Sequence, residues 1–416
     1  MQTSSNSLGS LSLDDVEIRV SLTADASDSR EITVFARVVA REGGGDLPLL
    51  VYLQGGPGVE SPRPSLDPHS PPWLRTALEH HRVVFLDQRG TGASSAIDDR
   101  SLAGGADHLA EYMQHFRADA IVRDCEALRE HLGVERWSLL GQSFGGFTAL
   151  RYVSEHSESL DRVFFTGGLP NVGGSIDDAY STTYEKMRRA SEQYYRRFPA
   201  HRERMRALLQ QAASGSVVLP DGEVVSPSRV RSLGHLLGSN DAWLQLHTLL
   251  DADFASNRFL HDLAQALPFS GRNPVYAVLH ESCWADGGAT RWAAERVMPQ
   301  DFVDDGTLFT GEHVRREWFD TVPSLQEWAE VADLLADHDW PALYDAEAIR
   351  ASDVAGAAAV YVNDVFVPME HSLATAELMP GLRLLVTSEH EHSGLRSSGG
   401  DVLEHLFDLA SGKRLR

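Results

Sequence analysis

Cysteine is scarce: Cys125 and Cys283 are the only two in 416 residues, far apart and without CxxC spacing. That leaves no disulfide framework and no zinc ribbon, and suits a reducing compartment. Positive charge is also short, with 37 Lys and Arg against 60 Asp and Glu for a net charge of −23. Such a chain repels phosphate backbones and anionic bilayers, so neither nucleic acid nor membrane is an expected partner. The acidity is either a solubilising surface or a field that favours cationic ligands. No stretch approaches the ~18 to 20 apolar residues that span a bilayer, and residues 1–15 are polar and Ser-rich, without the basic start and apolar core of an export signal. The expectation is a soluble, cytoplasmic protein. HExxH and any local His/Asp cluster are missing as well, so no metal or other cofactor is expected.

What is present fits a sizeable globular protein: 42% hydrophobic and 23% charged residues, in a chain long enough for roughly two to three domain-sized units. The alternating segments 17–23 and 31–39 predict antiparallel strands with one wet face. Residues 49–53, 83–86, 137–140, 163–165, 357–362 and 382–386 are nearly continuous apolar runs, as expected of parallel strands covered on both faces. Helical periodicity over 118–132 and 144–153 falls between them. Strand–helix alternation from about Leu49 to Pro170 implies a parallel α/β sheet. From about Asn171 to Arg350 the text turns helical and Trp-rich, and strand-like runs return only at Ala357. The predicted organisation is one catalytic sheet domain, residues 1–170 and 351–416, interrupted by a mostly helical cap, residues 171–350.

Gly141-Gln142-Ser143-Phe144-Gly145 lies directly after an apolar strand and directly before a helix. This is the context in which Gly-x-Ser-x-Gly puts a nucleophilic serine on a sharp, strained turn, with glycines removing side chains that would collide there. A serine is a weak nucleophile unless a base and an orienting carboxylate assist it. In the hydrolase arrangement the acid follows a late strand and the histidine follows the last one. Asp364 ends the run 357–363, whereas Asp353 and Glu370 flank it less suitably. Two histidines, His390 and His392, follow the final run. The oxyanion hole needs two backbone N–H groups. Phe144 supplies one, and the turn Gln54-Gly55-Gly56-Pro57-Gly58 offers Gly55, Gly56 or Gly58 for the other, with Gly56 preferred.

Three motifs together resemble the proline iminopeptidase family of α/β-hydrolase serine peptidases, over nearly the whole chain. They are Gln54-Gly55-Gly56-Pro57-Gly58, similar to the family's His-Gly-Gly-Pro-Gly; Asp87-Gln88-Arg89-Gly90-Thr91-Gly92; and Gly141-Gln142-Ser143-Phe144-Gly145-Gly146. The resemblance implies an α/β-hydrolase fold with a helical cap. It matches Asp364 with Pro368 to the family's acid, and Glu391-His392-Ser393-Gly394-Leu395-Arg396 to the ending in which His392 is the base. Gln54 and Phe144 stand where better-known members carry His and Trp. Asp87 and Arg89 are expected to brace loops as a structural ion pair rather than to react. The resemblance further implies a cap glutamate that pairs with the substrate's free amino or imino group. Glu281, framed by Tyr276 and Trp284, is the best match and Glu185 the second.

The function these residues predict is a serine aminopeptidase that releases an N-terminal residue, preferentially proline, from peptides with a free N-terminus. Ser143, Asp364 and His392 form the triad, and Gly56 and Phe144 hold the oxyanion. A hydrolase of esters, lactones or small amides would share every core motif and differ in the cap. A non-catalytic receptor on the same fold would not need all three triad residues.

Overall fold

In the computed structural model, which describes residues 2–25, 27–66 and 69–415, a nine-stranded sheet organises the chain. Its strands are β1 (Gln2–Leu8), β2 (Leu11–Ser21), β3 (Glu31–Arg41), β4 (Leu49–Leu53), β5 (Arg82–Asp87), β6 (Trp137–Gln142), β7 (Leu160–Thr166), β8 (Ala355–Tyr361) and β9 (Leu382–Thr387). They lie in the order β1-β2-β3-β5-β4-β6-β7-β8-β9. The first three strands and the β3–β5 pair are antiparallel, and every pairing beyond is parallel.

The continuous apolar runs form the middle of this sheet because both of its faces are covered. Along β4, Leu49, Val51 and Leu53 enter one core while Leu50 and Tyr52 enter the other, and β5 divides Val84 and Leu86 from Val83 and Phe85 in the same way. The helices Ala118–His131 and Phe144–His156 pack on the first face. The C-terminal helix Asp401–Ser411 covers the second with Leu403, Leu406 and Phe407.

Two ends of the sheet differ from expectation. Residues 2–8, read as a polar N-terminal stretch, form strand β1, paired along its length with β2 through a turn at Gly9. The side chains of residues 4–7 are exposed, so the backbone ladder holds the strand and no apolar alternation marks it. Residues 382–387, expected to be covered on both faces, form the opposite edge strand, where Val386 is 47% exposed.

Between β7 and β8 the chain is mostly helical, starting with the long helix Ile176–Arg197. Trp318, Trp328 and Trp340 are buried within this segment. Arg117, at the foot of the helix Ala118–His131, joins it to the sheet: the guanidinium donates to the carbonyls of Ser282, Ala285 and Pro341 and lies 4.6 Å from the Trp340 ring centroid. No helix among the described residues is long and apolar enough to cross a membrane.

Candidate active site

Ser143 stands between β6 and the helix Phe144–His156 with φ 56° and ψ −126°, a conformation that side-chain-bearing residues rarely adopt. The turn is tight enough that a Cβ on Gly145 would lie 1.9 Å from the Leu53 carbonyl oxygen, so only glycine fits there. Gly145 is thus required by crowding against β4, and Gly141 by the backbone of Gly145 and Gly146, 2.5–2.7 Å from where its Cβ would lie.

Asp364 and His392 come from the loops after β8 and β9. His392 Nδ1 lies 2.8 Å from Asp364 Oδ2, and the carboxylate has no exposed surface. The other carboxylate oxygen accepts the backbone N–H groups of Phe366 and Val367, each at 2.9 Å, which fixes its orientation. The carboxylate faces Nδ1 as an acceptor, so Nδ1 carries the proton and Nε2 offers its lone pair. Gln142 Nε2, 3.3 Å from His392 Nε2, donates to that lone pair. Burial opposes a charge on His392 most strongly. The charge and hydrogen bond of Asp364, with the charge of Glu312, outweigh it and raise the imidazole above its ordinary value.

Ser143 and His392 line one cavity of ≈ 270 Å³ together with Gly55, Gly56, Gln142, His235, Tyr276, Glu312, Phe366 and Arg396. Gly55 passes so close that a Cβ on it would lie 3.0 Å from Ser143 Cβ. Gly56 has φ 134°, reserved in practice for glycine. Phe144, the first residue of its helix, has no intrahelical partner for its N–H. Gln88 Nε2 donates to the Gln54 carbonyl at 3.0 Å, so the oxyanion-side loop is held through the backbone of Gln54, and its side chain can differ from histidine.

Asp87 and Arg89 do not pair with each other. Asp87 accepts from Arg63 at 2.5 and 3.0 Å, from Ser61 N and from Ala93 N, and Arg89 forms a two-point pair with buried Asp124 at 2.6 and 2.7 Å. Both brace loops, each through its own partner.

The two cap glutamates expected from the sequence lie apart from the residues lining this cavity. Glu281 is buried, and its oxygens accept the N–H groups of Ala293 and Ala294 at 3.0 and 2.9 Å, capping the short helix Ala293–Arg296. Burial pushes its carboxyl up to about 7. Glu185 is exposed and paired with Arg189 at 3.2 Å. The carboxylate that does enter the cavity is Glu312. It accepts the Tyr276 hydroxyl and lies 4.0 Å from His235 Nδ1 and 3.9 Å from His280 Nε2. Burial raises it to about 7, while burial holds the two histidines near 4 and 3, hence neutral. Among the described residues, buried Nδ1 of His235 and the Tyr180 hydroxyl have no hydrogen-bond partner. Gly311-Glu312-His313 carries no sequence pattern that marks Glu312 among the acidic residues.

The α/β hydrolase fold family matches residues 48–219. The proline iminopeptidase of Aeromonas sobria is 38% identical over 405 residues, covering 92% of each chain. Proline iminopeptidase aneH of Aspergillus aculeatus is 31% identical, covering 94% of this chain and 92% of that protein. A solved thermophilic esterase from Thermogutta terrifontis aligns over 94% of this chain and 97% of its own at 14% identity, with a TM-score of 0.41.

Proposed function

The chain belongs to the proline iminopeptidase family of α/β-hydrolase serine peptidases, and we propose that it releases an N-terminal residue, preferentially proline, from peptides through an acyl-enzyme on Ser143. The observation that carries this reading is one cavity with Ser143 and His392 in its wall and the partly buried carboxylate of Glu312 facing the same space.

His392 Nε2 takes the Ser143 Oγ proton as Oγ attacks the carbonyl carbon of the N-terminal residue. The oxygen that becomes negative is received by the N–H groups of Gly56 and Phe144. The protonated imidazole, stabilised by Asp364, passes its proton to the departing amine and breaks the C–N bond. Water, deprotonated by His392, then attacks the ester carbonyl and frees the amino acid and Ser143.

Exopeptidase selectivity comes from Glu312. In this partly enclosed site a carboxylate flanked by neutral histidines favours a nearby cation, and the substrate's protonated N-terminal amine, a pyrrolidinium for proline, supplies one. Tyr276 and Phe366, lining the same cavity, suit the pyrrolidine ring. Residues 171–350 act as the cap that closes the site. Two free, buried cysteines, Cys125 and Cys283, support the cytoplasmic setting expected from the sequence.

Turnover of proline β-naphthylamide compared with its N-acetyl derivative tests the proposal. Cleavage of the free substrate alone is expected. Equal rates on both would overturn the aminopeptidase reading in favour of a general amidase or esterase.

A further inference from the structure

Within the cap, three groups that bind metals converge outside the catalytic cavity. His247 and Asp251 are one turn apart on the helix Ala242–Asp251, and His201 opens the helix His201–Ala213. His201 Nε2 lies 3.1 Å from Asp251 Oδ1 and 3.2 Å from His247 Nδ1. A tetrahedral zinc ion with ligands at about 2.0–2.1 Å keeps its ligand atoms about 3.3–3.4 Å apart, so the spacing is already that of two edges of a zinc polyhedron. His247 Nε2 lies 3.8 Å from the second carboxylate oxygen.

The surroundings are those of a ligand set rather than of a plain ion pair. His201 is almost fully buried, and its other ring nitrogen lies 2.8 Å from the Tyr194 hydroxyl, the kind of partner that fixes the tautomer of a metal-binding histidine. Phe198 stacks on His247 at 4.4 Å and 12° and on His201 at 5.4 Å and 20°, restraining both rings. Without an ion, one proton on His201 Nε2 must serve a carboxylate oxygen and an imidazole nitrogen at once. The Asp251 side chain is 63% exposed, so water can complete the coordination.

We propose that His201, His247 and Asp251 form a binding site for a divalent transition ion of the zinc class, two nitrogens and one oxygen from the protein, that clips two cap helices together. The expectation of no metal rested on local sequence patterns, and this cluster is assembled only by folding. The clip also reaches the active site through one element. The helix carrying His247 and Asp251 begins at Ala242, a lining residue of the catalytic cavity. Just before it, Asn240 bonds the Glu389 carbonyl and the Glu391 N–H, and Ser239 bonds Ser393, on both sides of His392. Fixing the far end of that helix steadies the loop that carries the base.

The test uses tag-free full-length protein dialysed against zinc chloride and then metal-free buffer, with zinc measured by mass spectrometry and melting followed with and without the ion. One zinc per chain and a zinc-dependent rise in Tm are expected. The partly exposed substitutions His247→Ala and Asp251→Asn should each weaken zinc binding by at least about 100-fold and abolish the Tm rise. Circular dichroism checks that each variant is folded, and the isosteric Asp251→Asn serves if His247→Ala is not. Replacement by cobalt(II) should give a visible tetrahedral spectrum that both variants lose. Absence of retained zinc in the wild type, or full retention in a folded variant, would overturn the proposal; the latter would place the ion elsewhere, as at Glu312 and its two histidines.

Discussion

Gly167 leaves bare the space beside His392: a Cβ there would lie 2.9 Å from His392 Nδ1 and 3.1 Å from Asp364 Oδ2. Its φ of 54° already disfavours any side chain. Gly167→Ala therefore strains the backbone and presses a methyl group into the contact that orients the imidazole. A displacement of the base on the order of 1 Å costs up to about 10²-fold in rate. Steady-state kinetics should show kcat reduced about 10- to 100-fold with KM little changed; an unaltered kcat would mean that the imidazole is not held from this side.

Replacing the nucleophile and its orienting acid should separate their contributions. Ser143→Ala is expected to reduce kcat by at least about 10⁴-fold, and labelling by a fluorophosphonate should vanish. Asp364→Asn keeps the shape but offers an amide to Nδ1, which favours the wrong tautomer and should also cost about 10⁴-fold in kcat. Labelling of Ser143→Ala by the fluorophosphonate would show that another residue is the nucleophile.

The central strands β4 to β8 are legible because burial on both faces leaves unbroken apolar runs such as Leu49–Leu53. Strand β1 is not, since Ser4, Ser5 and Asn6 are exposed and held by backbone pairing that no side-chain pattern encodes. The same division runs through the site. Gly141, Ser143 and Gly145 are forced by local crowding and so are written locally, and Asp364 and His392 follow from their places after the late strands. Glu312 is one of 60 acidic residues, and its position depends on how the cap folds over the sheet. Glu281 has the more suggestive aromatic neighbours, but neighbours in sequence do not determine which way a carboxylate faces. Here it faces the N–H groups of Ala293 and Ala294.

Activity should fall as pH drops through neutrality. His392 must be neutral to accept the Ser143 proton, and its pKa is raised above the ordinary histidine value. Glu312, at about 7, must be ionised to hold a cationic N-terminus. Both requirements fail on the acid side, so the acid limb of kcat/KM should lie near pH 7. Glu312→Gln removes one of the charges that raises His392, so its remaining acid limb should shift to lower pH. A limb unmoved in that variant would uncouple the two groups.

Parallel substitutions at Glu312 and Glu281 should separate binding from folding. Glu312→Gln removes a charge-assisted contact of about 1.5–3 kcal/mol to the substrate amine, so kcat/KM for free N-terminal proline should drop about 10- to 150-fold. The preference for free over blocked substrates should shrink, with Tm held or slightly raised, because a neutral amide is easier to bury than a carboxylate. Glu281→Gln should do the reverse. One of the two N–H donors now facing its carboxylate would meet an amide NH₂, costing about 1–3 kcal/mol and lowering Tm, while substrate preference stays as in the wild type. Its pH signature is equally specific. The Glu281 carboxyl is raised from its ordinary 4.5 to about 7 in the fold, so the folded state holds its proton longer. That stabilisation is full below the unfolded value and is lost as pH rises through about 7. Melting curves across this range should show a smaller loss in Glu281→Gln than in the wild type, the remainder coming from Glu312, which is raised to about 7 in the same way. A collapse of substrate preference in Glu281→Gln at unchanged Tm would instead put Glu281 in contact with the substrate.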